Sequence, residues 1–400
     1  MTNKPRILFV QVNVNPPGGA QAVAAWALEA LKADYAVTLL TWHPPRWQEV
    51  NRFYGTQLQP AQFRVRSAPA WLRWLVARDP HQYSFQPLAF LMRAARWMAR
   101  EHDLAISFND EVDLGVPSLQ YIHYPWLAKH YHAQSRAVPA SWRAHIVAFL
   151  RRQRPWRIIS GFDFDRMRHN LTLVNSDWTG KLFQAHYGTA PRTLYPPIWT
   201  NTPPKPWAER ENGFVSIGRI SPEKKYERTI AILERVRARG YTIHLHIVGA
   251  PSQRERQSTY YRTLRASVAR HAQWIEYHEN ISREDLRALI AAHRYGIHGH
   301  TTEHFGIAPA EMMCGGALVF VPHGGGQAEI VGGEPRLLYA SPDDAVEKIT
   351  RVLDDADAQR ALGAQLAARA ELFRMERFTQ ELRALVQEAL CERTPSALPR

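Results

Sequence analysis

Two cysteines in 400 residues, Cys314 and Cys391, are too few for a disulfide framework, and neither has a metal-ligand neighbour at C-x-x-C spacing. A reducing cytoplasm suits such a chain. Long apolar runs are also missing. No stretch approaches the ~20 residues that a membrane-spanning helix needs, so a soluble or peripheral protein is expected. No secretory leader is expected either, because Lys4 and Arg6 precede only the short run Ile7–Val12. Acidic residues are the third shortage. With 37 Asp/Glu against 50 Lys/Arg the net charge is +13, which points to anionic partners: nucleotides, nucleic acid or a membrane surface.

What is present is an ordinary globular composition, 45% hydrophobic and 22% charged, at a length that fits two domains. The positive surplus is uneven. From Pro60 to Asn170 sixteen Lys/Arg face eight Asp/Glu, interleaved with Trp71, Trp74, Trp97, Trp142 and Trp156 and including Arg151, Arg152 and Arg154. Two readings stand side by side: a solvated helical face with snorkelling arginines, or a basic, Trp-bearing surface resting on anionic headgroups at the inner membrane surface.

The pattern along the chain is α/β. Arg6–Val12 is a short, apolar, β-branched run of the kind buried in a parallel sheet, and Asn15-Pro16-Pro17-Gly18-Gly19 separates it from a helix over Ala20–Ala33. Strands are expected at Ala36–Thr41, Leu104–Phe108, Leu119–His123 and Leu171–Asn175. Helices are expected at Trp71–Ala77, Leu88–Arg100, Ala137–Arg168 with a break at Pro155, and from Trp178. The polar, Pro-rich stretch Thr200–Pro206 reads as a link between domains. A second series follows, with strands at Gly213–Ile217, Thr242–Val248, Trp274–Tyr277, Tyr295–His298 and Ala317–Val321. Its helices are Tyr226–Arg239, Gln253–Arg270, Ile281–Ala292, Pro342–Ala370 and Phe378–Leu390. These elements divide the chain into residues 1–198, residues 199–375, and a C-terminal helix and tail over 376–400 expected to pack back on the first domain.

Three loops carry chemistry-bearing side chains. Gly218–Lys225 places Arg219 just past a strand and Lys224 just before a helix, where both can meet one anion; an exposed basic turn is the plainer reading. Gly299–Glu311 holds Glu303 and Glu311 with seven residues between them, and two carboxylates in a cleft suit sugar chemistry, although spacing alone decides nothing. His123 ends a strand where open α/β sheets bind ligands, a position that a structural histidine also occupies.

Taken in order along the chain, Pro17-Gly18-Gly19-Ala20, Tyr121-Ile122-His123, Val174-Asn175-Ser176, Tyr195-Pro196-Pro197, Gly218-Arg219 with Lys224, and Glu303-His304-Phe305-Gly306 through Glu311 resemble the family-4 retaining glycosyltransferases. Tyr121–Pro125 and Glu303–Ile307 look most like GDP-mannose-dependent mannosyltransferases of lipid-linked oligosaccharide assembly. The resemblance implies the GT-B fold, two Rossmann-like domains facing across a cleft. It also implies transfer of a hexose, mannose favoured, from a nucleotide-diphosphate sugar to a hydroxyl of a glycan or lipid-linked acceptor. Arg219 and Lys224 would bind and stabilise the leaving diphosphate. Glu303 would contact the donor sugar, and Glu311 would hold the ribose. Main-chain amides around Phe305, Gly306, Ile307 and Ala308 would approach sugar and phosphate. His123 would lie near the reacting carbon, and Gly18 and Gly19 would line the acceptor cleft. No bound metal or other cofactor is expected beyond the nucleotide sugar, GDP-mannose favoured, and no nucleic-acid partner. Gln21 and Lys225 depart from the family pattern, which has a glutamate and a glycine there. The alternatives are a nucleotide-sugar epimerase or phosphorylase on the same fold, and a non-enzymatic basic protein binding nucleic acid or membrane.

Overall fold

The computed structural model describes residues 4–78, 85–128, 155–199 and 205–393. Trp142, Arg151, Arg152, Arg154, the helix expected over 137–154, most of the Thr200–Pro206 link and the tail 394–400 lie outside them. The chain divides into two compact units. One comprises Met1–Pro197 with Met375–Arg400, and the other Ile198–Arg374.

The first unit is built on a seven-stranded sheet: β1 (Arg6–Gln11), β2 (Ala36–Thr41), β3 (Phe63–Ser67), β4 (Leu104–Ser107), β5 (Leu119–Ile122), β6 (Leu171–Val174) and β7 (Arg192–Thr193). Their order is β3-β2-β1-β4-β5-β6-β7, and every pairing is parallel. The central strands are mostly apolar because both faces are covered, and the polar residues Gln11, Ser107, Gln120 and Thr172 are buried with them. Successive side chains of β1 alternate between two cores. Ile7 and Phe9 enter one with the helices Gly19–Leu31 and Met375–Arg393, whereas Leu8 and Val10 enter the other with the helix Phe85–Met98. Across the first face Phe9 stacks on Phe108 and Phe108 on Tyr121, with ring centroids 5.5 and 4.8 Å apart.

The C-terminal helix belongs to this unit. Phe378, Leu382, Val386 and Ala389 are buried in the same core as Ala24, Leu28 and Leu31. Arg383 Nε donates to the Ala30 carbonyl at 2.7 Å, and Arg192 forms a two-pronged pair with Glu388 at 2.6 and 2.7 Å.

The second unit repeats the plan with six strands: β8 (Glu211–Ile217), β9 (His244–Val248), β10 (Ile275–His278), β11 (His293–Ile297), β12 (Leu318–Pro322) and β13 (Leu338–Tyr339). Their order is β10-β9-β8-β11-β12-β13, again parallel.

Several elements differ from expectation for local reasons. The edge strand β3 escapes a hydrophobic reading because Arg64, Arg66 and Ser67 face solvent. The Gln253–Arg270 stretch is two helices, since Ser258 accepts a hydrogen bond from the Tyr261 amide and restarts the chain as an N-cap. Asp355 interrupts Pro342–Ala370 in the same way, accepting from Ala358 N. Of the expected Ala137–Arg168 helix the described part is two short helices, Pro155–Ser160 and Phe164–Arg168, the second capped by Asp163, whose side chain accepts from Arg166 N.

Candidate functional site

Each sheet reverses its strand order once, between β1 and β4 in the first unit and between β8 and β11 in the second. Ligands of open α/β proteins bind beyond the carboxyl ends of the strands at such a point, because the two loops there diverge to opposite faces.

In the second unit those loops are Gly218–Lys225 and His298–Gly306. The first makes a tight turn over Pro222–Lys224 and enters the helix Tyr226–Ala238 through Lys225. Lys225 has φ 54° and ψ 43°, the left-handed region that favours glycine. The departure from the family's glycine thus retains the glycine conformation with a lysine side chain. Tyr226 Oη donates to the Gly218 carbonyl at 2.7 Å and fixes the loop's start.

That turn delivers Lys224 to Glu303. The ammonium bonds Glu303 Oε1, and His298 Nε2 lies 3.0 Å from the same oxygen. All three side chains are largely withdrawn from water, at 17, 18 and 2% exposure for Lys224, Glu303 and His298. Burial pushes the Glu303 carboxyl up, but the His298 hydrogen bond and the Lys224 charge outweigh it and hold it well below the usual carboxylate range. Burial also lowers the His298 pKa, so the ring is neutral and presents its Nε2 proton to an ionised carboxylate. The loops meet closely because residue 299 is glycine. A Cβ there would lie 2.6 Å from the Lys225 carbonyl oxygen. From the other side the turn after β12 clamps the Glu303 loop, with Gly326 N donating to the Glu303 carbonyl at 2.8 Å and Gln327 Nε2 to the His300 carbonyl at 3.0 Å.

The remaining second-unit candidates flank this triad. Gly306, at φ 103°, caps the helix Ile307–Cys314, so the backbone N–H groups of Ile307 and Ala308 occupy its first turn, whose amides have no carbonyl one turn back. Phe305 is buried against Phe373, with ring centroids 5.7 Å apart. Glu311 pairs with Arg283 at 2.9 Å. Arg219 is set apart from the triad's oxygen: its side chain is 71% exposed and reaches Glu223 at 3.4 Å.

The first unit's switch point is held by amides and carboxamides. Asn109 Oδ1 accepts from Val12 N at 3.0 Å, and its Nδ2 donates to the Val10 carbonyl at 2.8 Å, tying the end of β1 to the end of β4. Gly18 precedes the helix Gly19–Leu31, and the Gln21 side chain folds back against it. His123 follows β5. Its N–H and that of Tyr124 donate to Asp110 Oδ1 at 2.5 and 3.0 Å, its carbonyl accepts from Asn175 Nδ2 at 3.0 Å, and its ring stands edge-on to Tyr121. Burial pushes the Asp110 carboxyl up to about 7 and the adjacent Glu111 up to about 8. Glu111 accepts from Leu127 N at 2.9 Å and from Tyr187 Oη at 2.7 Å.

Asp110, Glu111 and His298 were not among the sequence candidates. The signal for His298 was available: like His123, it is the first residue past a parallel strand.

Residues 197–369 match the family described as glycosyl transferases group 1. The GDP-Man:Man(3)GlcNAc(2)-PP-Dol alpha-1,2-mannosyltransferase of Candida glabrata is 23% identical over 223 residues, 52% of this chain and 43% of that protein. The human protein of the same description is 25% identical over 223 residues, 51% of this chain and 45% of its own length. The chain therefore spans less than half of these curated relatives. Sucrose-phosphate synthase from Thermosynechococcus elongatus shares the fold at a TM-score of 0.69 and 18% identity, covering 97% of this chain and 100% of that one. Anabaena HepE in complex with UDP and glucose does so at 0.65 and 16%, covering 96 and 99%. With two parallel sheets of this order, the chain has the GT-B fold, carries a glycosyl transferases group 1 domain over residues 197–369, and resembles the GDP-mannose mannosyltransferases.

Proposed function

We propose that the chain is a retaining hexosyltransferase that moves mannose from GDP-mannose to a hydroxyl of a glycan or lipid-linked acceptor. The observation that carries this reading is the Lys224–Glu303–His298 triad at the switch point of the glycosyl transferases group 1 domain. The donor in the relatives' names, GDP-Man, supports the choice of base and sugar.

In this reading the bond between the anomeric carbon and the diphosphate breaks, and a bond from the acceptor oxygen to that carbon forms on the same face. The departing diphosphate gains negative charge, which Lys224 and Arg219 offset. Arg219 turns from Glu223 to the phosphate, as its exposure permits. Glu303 has two roles: it fixes Lys224 and offers its second oxygen to donor hydroxyls. The Ile307 and Ala308 amides meet phosphate or sugar oxygens at the helix start. Glu311 holds the ribose. The two basic side chains take the part of a metal in the transfer.

Donor turnover by Arg219→Ala, Lys224→Ala and Glu303→Ala tests the site. Each loses about 10²-fold or more in rate, the scale for removing a group that stabilises developing charge. Near-native rates in all three would refute the assignment. A thermal-shift series with GDP-, UDP- and ADP-sugars tests the donor, since only the cognate one raises the midpoint by mass action. Products formed with and without acceptor separate transfer from epimerisation or phosphorolysis.

A peripheral membrane contact on the cytoplasmic side accompanies this proposal. No helix of the described residues is long and apolar enough to cross a membrane. Trp71, Trp74, Leu75 and Trp97 are nevertheless 66, 56, 55 and 77% exposed, and Arg73 and Arg78 lie on or next to the helix that carries the first three, with the Arg78 guanidinium over the Trp74 ring. Exposed indoles beside arginines suit an anionic interface. Trp71→Ser with Trp74→Ser lowers co-sedimentation with phosphatidylserine-containing liposomes; unchanged binding refutes the contact.

A further inference from the structure

Four histidines from three strands meet on one face of the second unit's sheet. His244 and His246 alternate on β9 and therefore point the same way. His278 ends the neighbouring β10, and His293 opens β11. His244 Nε2 lies 3.0 Å from His293 Nε2, and the His246 ring centroid is 4.6 Å from that of His293 and 5.1 Å from that of His244. One donor atom from each of His244, His246 and His293 falls within 4.8 Å of the others. The carboxylate of Glu211, on the intervening β8, reaches His244 Nε2 at 3.5 Å and His293 Nε2 at 3.9 Å.

We propose that His244, His246, His293 and Glu211 bind a structural zinc ion at the N-terminal end of this sheet, away from the switch-point loops.

The separations among the His244, His293 and Glu211 donors match the metal, and a His246 ring nitrogen lies within 4.8 Å of the other two histidine donors. Bonds of 2.0–2.1 Å at tetrahedral angles place ligand atoms about 3.3 Å apart, and the observed 3.0, 3.5 and 3.9 Å bracket that. The outer hydrogen bonds point the same way. His293 Nδ1 lies 2.6 Å from the Leu289 carbonyl, to which it donates, so its Nε2 carries the lone pair. His246 Nδ1 faces His278 Nε2 at 2.8 Å, which leaves the His246 Nε2 for the ion and makes His278 its support.

Space for the cluster is built into the backbone. Gly213 of β8 pairs with His244, and a Cβ on it would lie 2.2 Å from His244 Nε2. Three imidazoles and one carboxylate form a closed, oxygen- and nitrogen-only set that suits Zn²⁺ over Mg²⁺ or Ca²⁺. The site joins β8, β9 and β11, strands whose far ends carry Gly218–Lys225 and His298–Gly306, so the ion acts as a brace and not in transfer.

The test uses the untagged full chain after treatment with EDTA. Titration with ZnCl₂ by calorimetry gives one ion per chain, and the thermal midpoint rises on loading. CoCl₂ gives the intense visible band of a four-coordinate site. His244→Gln, on the partly exposed ring, weakens zinc at least about 10-fold. His278→Gln, a support and not a ligand, weakens it less. The absence of a stoichiometric ion, a pale six-coordinate cobalt spectrum, or equal zinc affinity in His244→Gln and the wild type overturns the proposal. A larger loss in His278→Gln than in His244→Gln also overturns it, because it would move the ion to the His246, Glu276 and His278 group. The cobalt spectrum is read on the wild-type chain, so a variant that fails to fold leaves the proposal open to refutation.

Discussion

The two switch points are built alike and charged differently. In the second unit a carboxylate and an ammonium are buried together, and Glu303 stays ionised because Lys224 and His298 face it. In the first, a half-buried Asp110 and a buried Glu111 sit beside each other with amide and hydroxyl donors, and desolvation drives both pKa values upward. The same loop position thus holds charge in one unit and suppresses it in the other. The difference lies in whether a cation is within reach, since desolvation acts against ionisation in both.

Breaking the charged pair has the largest expected effect on stability. Glu303→Leu leaves the Lys224 ammonium withdrawn from water without its carboxylate and costs about 3 kcal/mol in urea unfolding, the low end of what an unpaired buried charge costs. A loss below 1 kcal/mol would show that Lys224 reaches water easily.

The uncharged site predicts a pH dependence of opposite sign. Glu111 has a folded pKa raised from 4.5 to about 8, so its contribution is fully present below about pH 4 and is lost as pH rises through 8. Glu111→Gln keeps the oxygen that accepts from Leu127 and Tyr187 but cannot ionise. Between pH 6 and 9 the variant loses less stability than wild type, by roughly 2 kcal/mol; parallel curves would place the carboxyl's titration elsewhere. Glu303 runs the other way. Its depressed pKa contributes stability present above about 4.5 and lost as pH falls below it, so Glu303→Gln removes part of the acid limb.

The smallest effect concerns the turn that aims Lys224. Lys225→Gly relieves a left-handed lysine and raises stability by about 1 kcal/mol or less, read as a small increase in thermal midpoint with turnover kept. A fall would mean that the Lys225 side chain makes compensating contacts.

Much of the fold was legible because parallel strands buried on both faces read as short apolar runs, as in Arg6–Val12 and Ala36–Thr41. The second switch-point loop was also legible, since Gly218–Lys225 and Gly299–Glu311 carry glycines and charges together. What the sequence does not contain is strand order. Lys224 meets Glu303 because β8 lies beside β11, a pairing between residues 79 apart in the chain. The histidine cluster escaped notice for the same reason. His244 and His246 are neighbours in sequence, but His293 joins them only through the β9-β8-β11 order. Edge strand β3 differs from the apolar runs: Phe63 and Val65 alternate with the exposed Arg64 and Arg66, so it carries no continuous apolar stretch and its alternation lasts only four residues.

The C-terminal helix has a consequence for the order in which the chain is made. Residues 198–374 form one unbroken unit, whereas the first unit needs Phe378, Leu382, Val386 and Ala389 to close the core around Ala24 and Leu28. On the ribosome the unit that starts second is therefore the first to be complete. The unit that starts first waits, its Gly19–Leu31 helix bare on one side, until the last helix emerges.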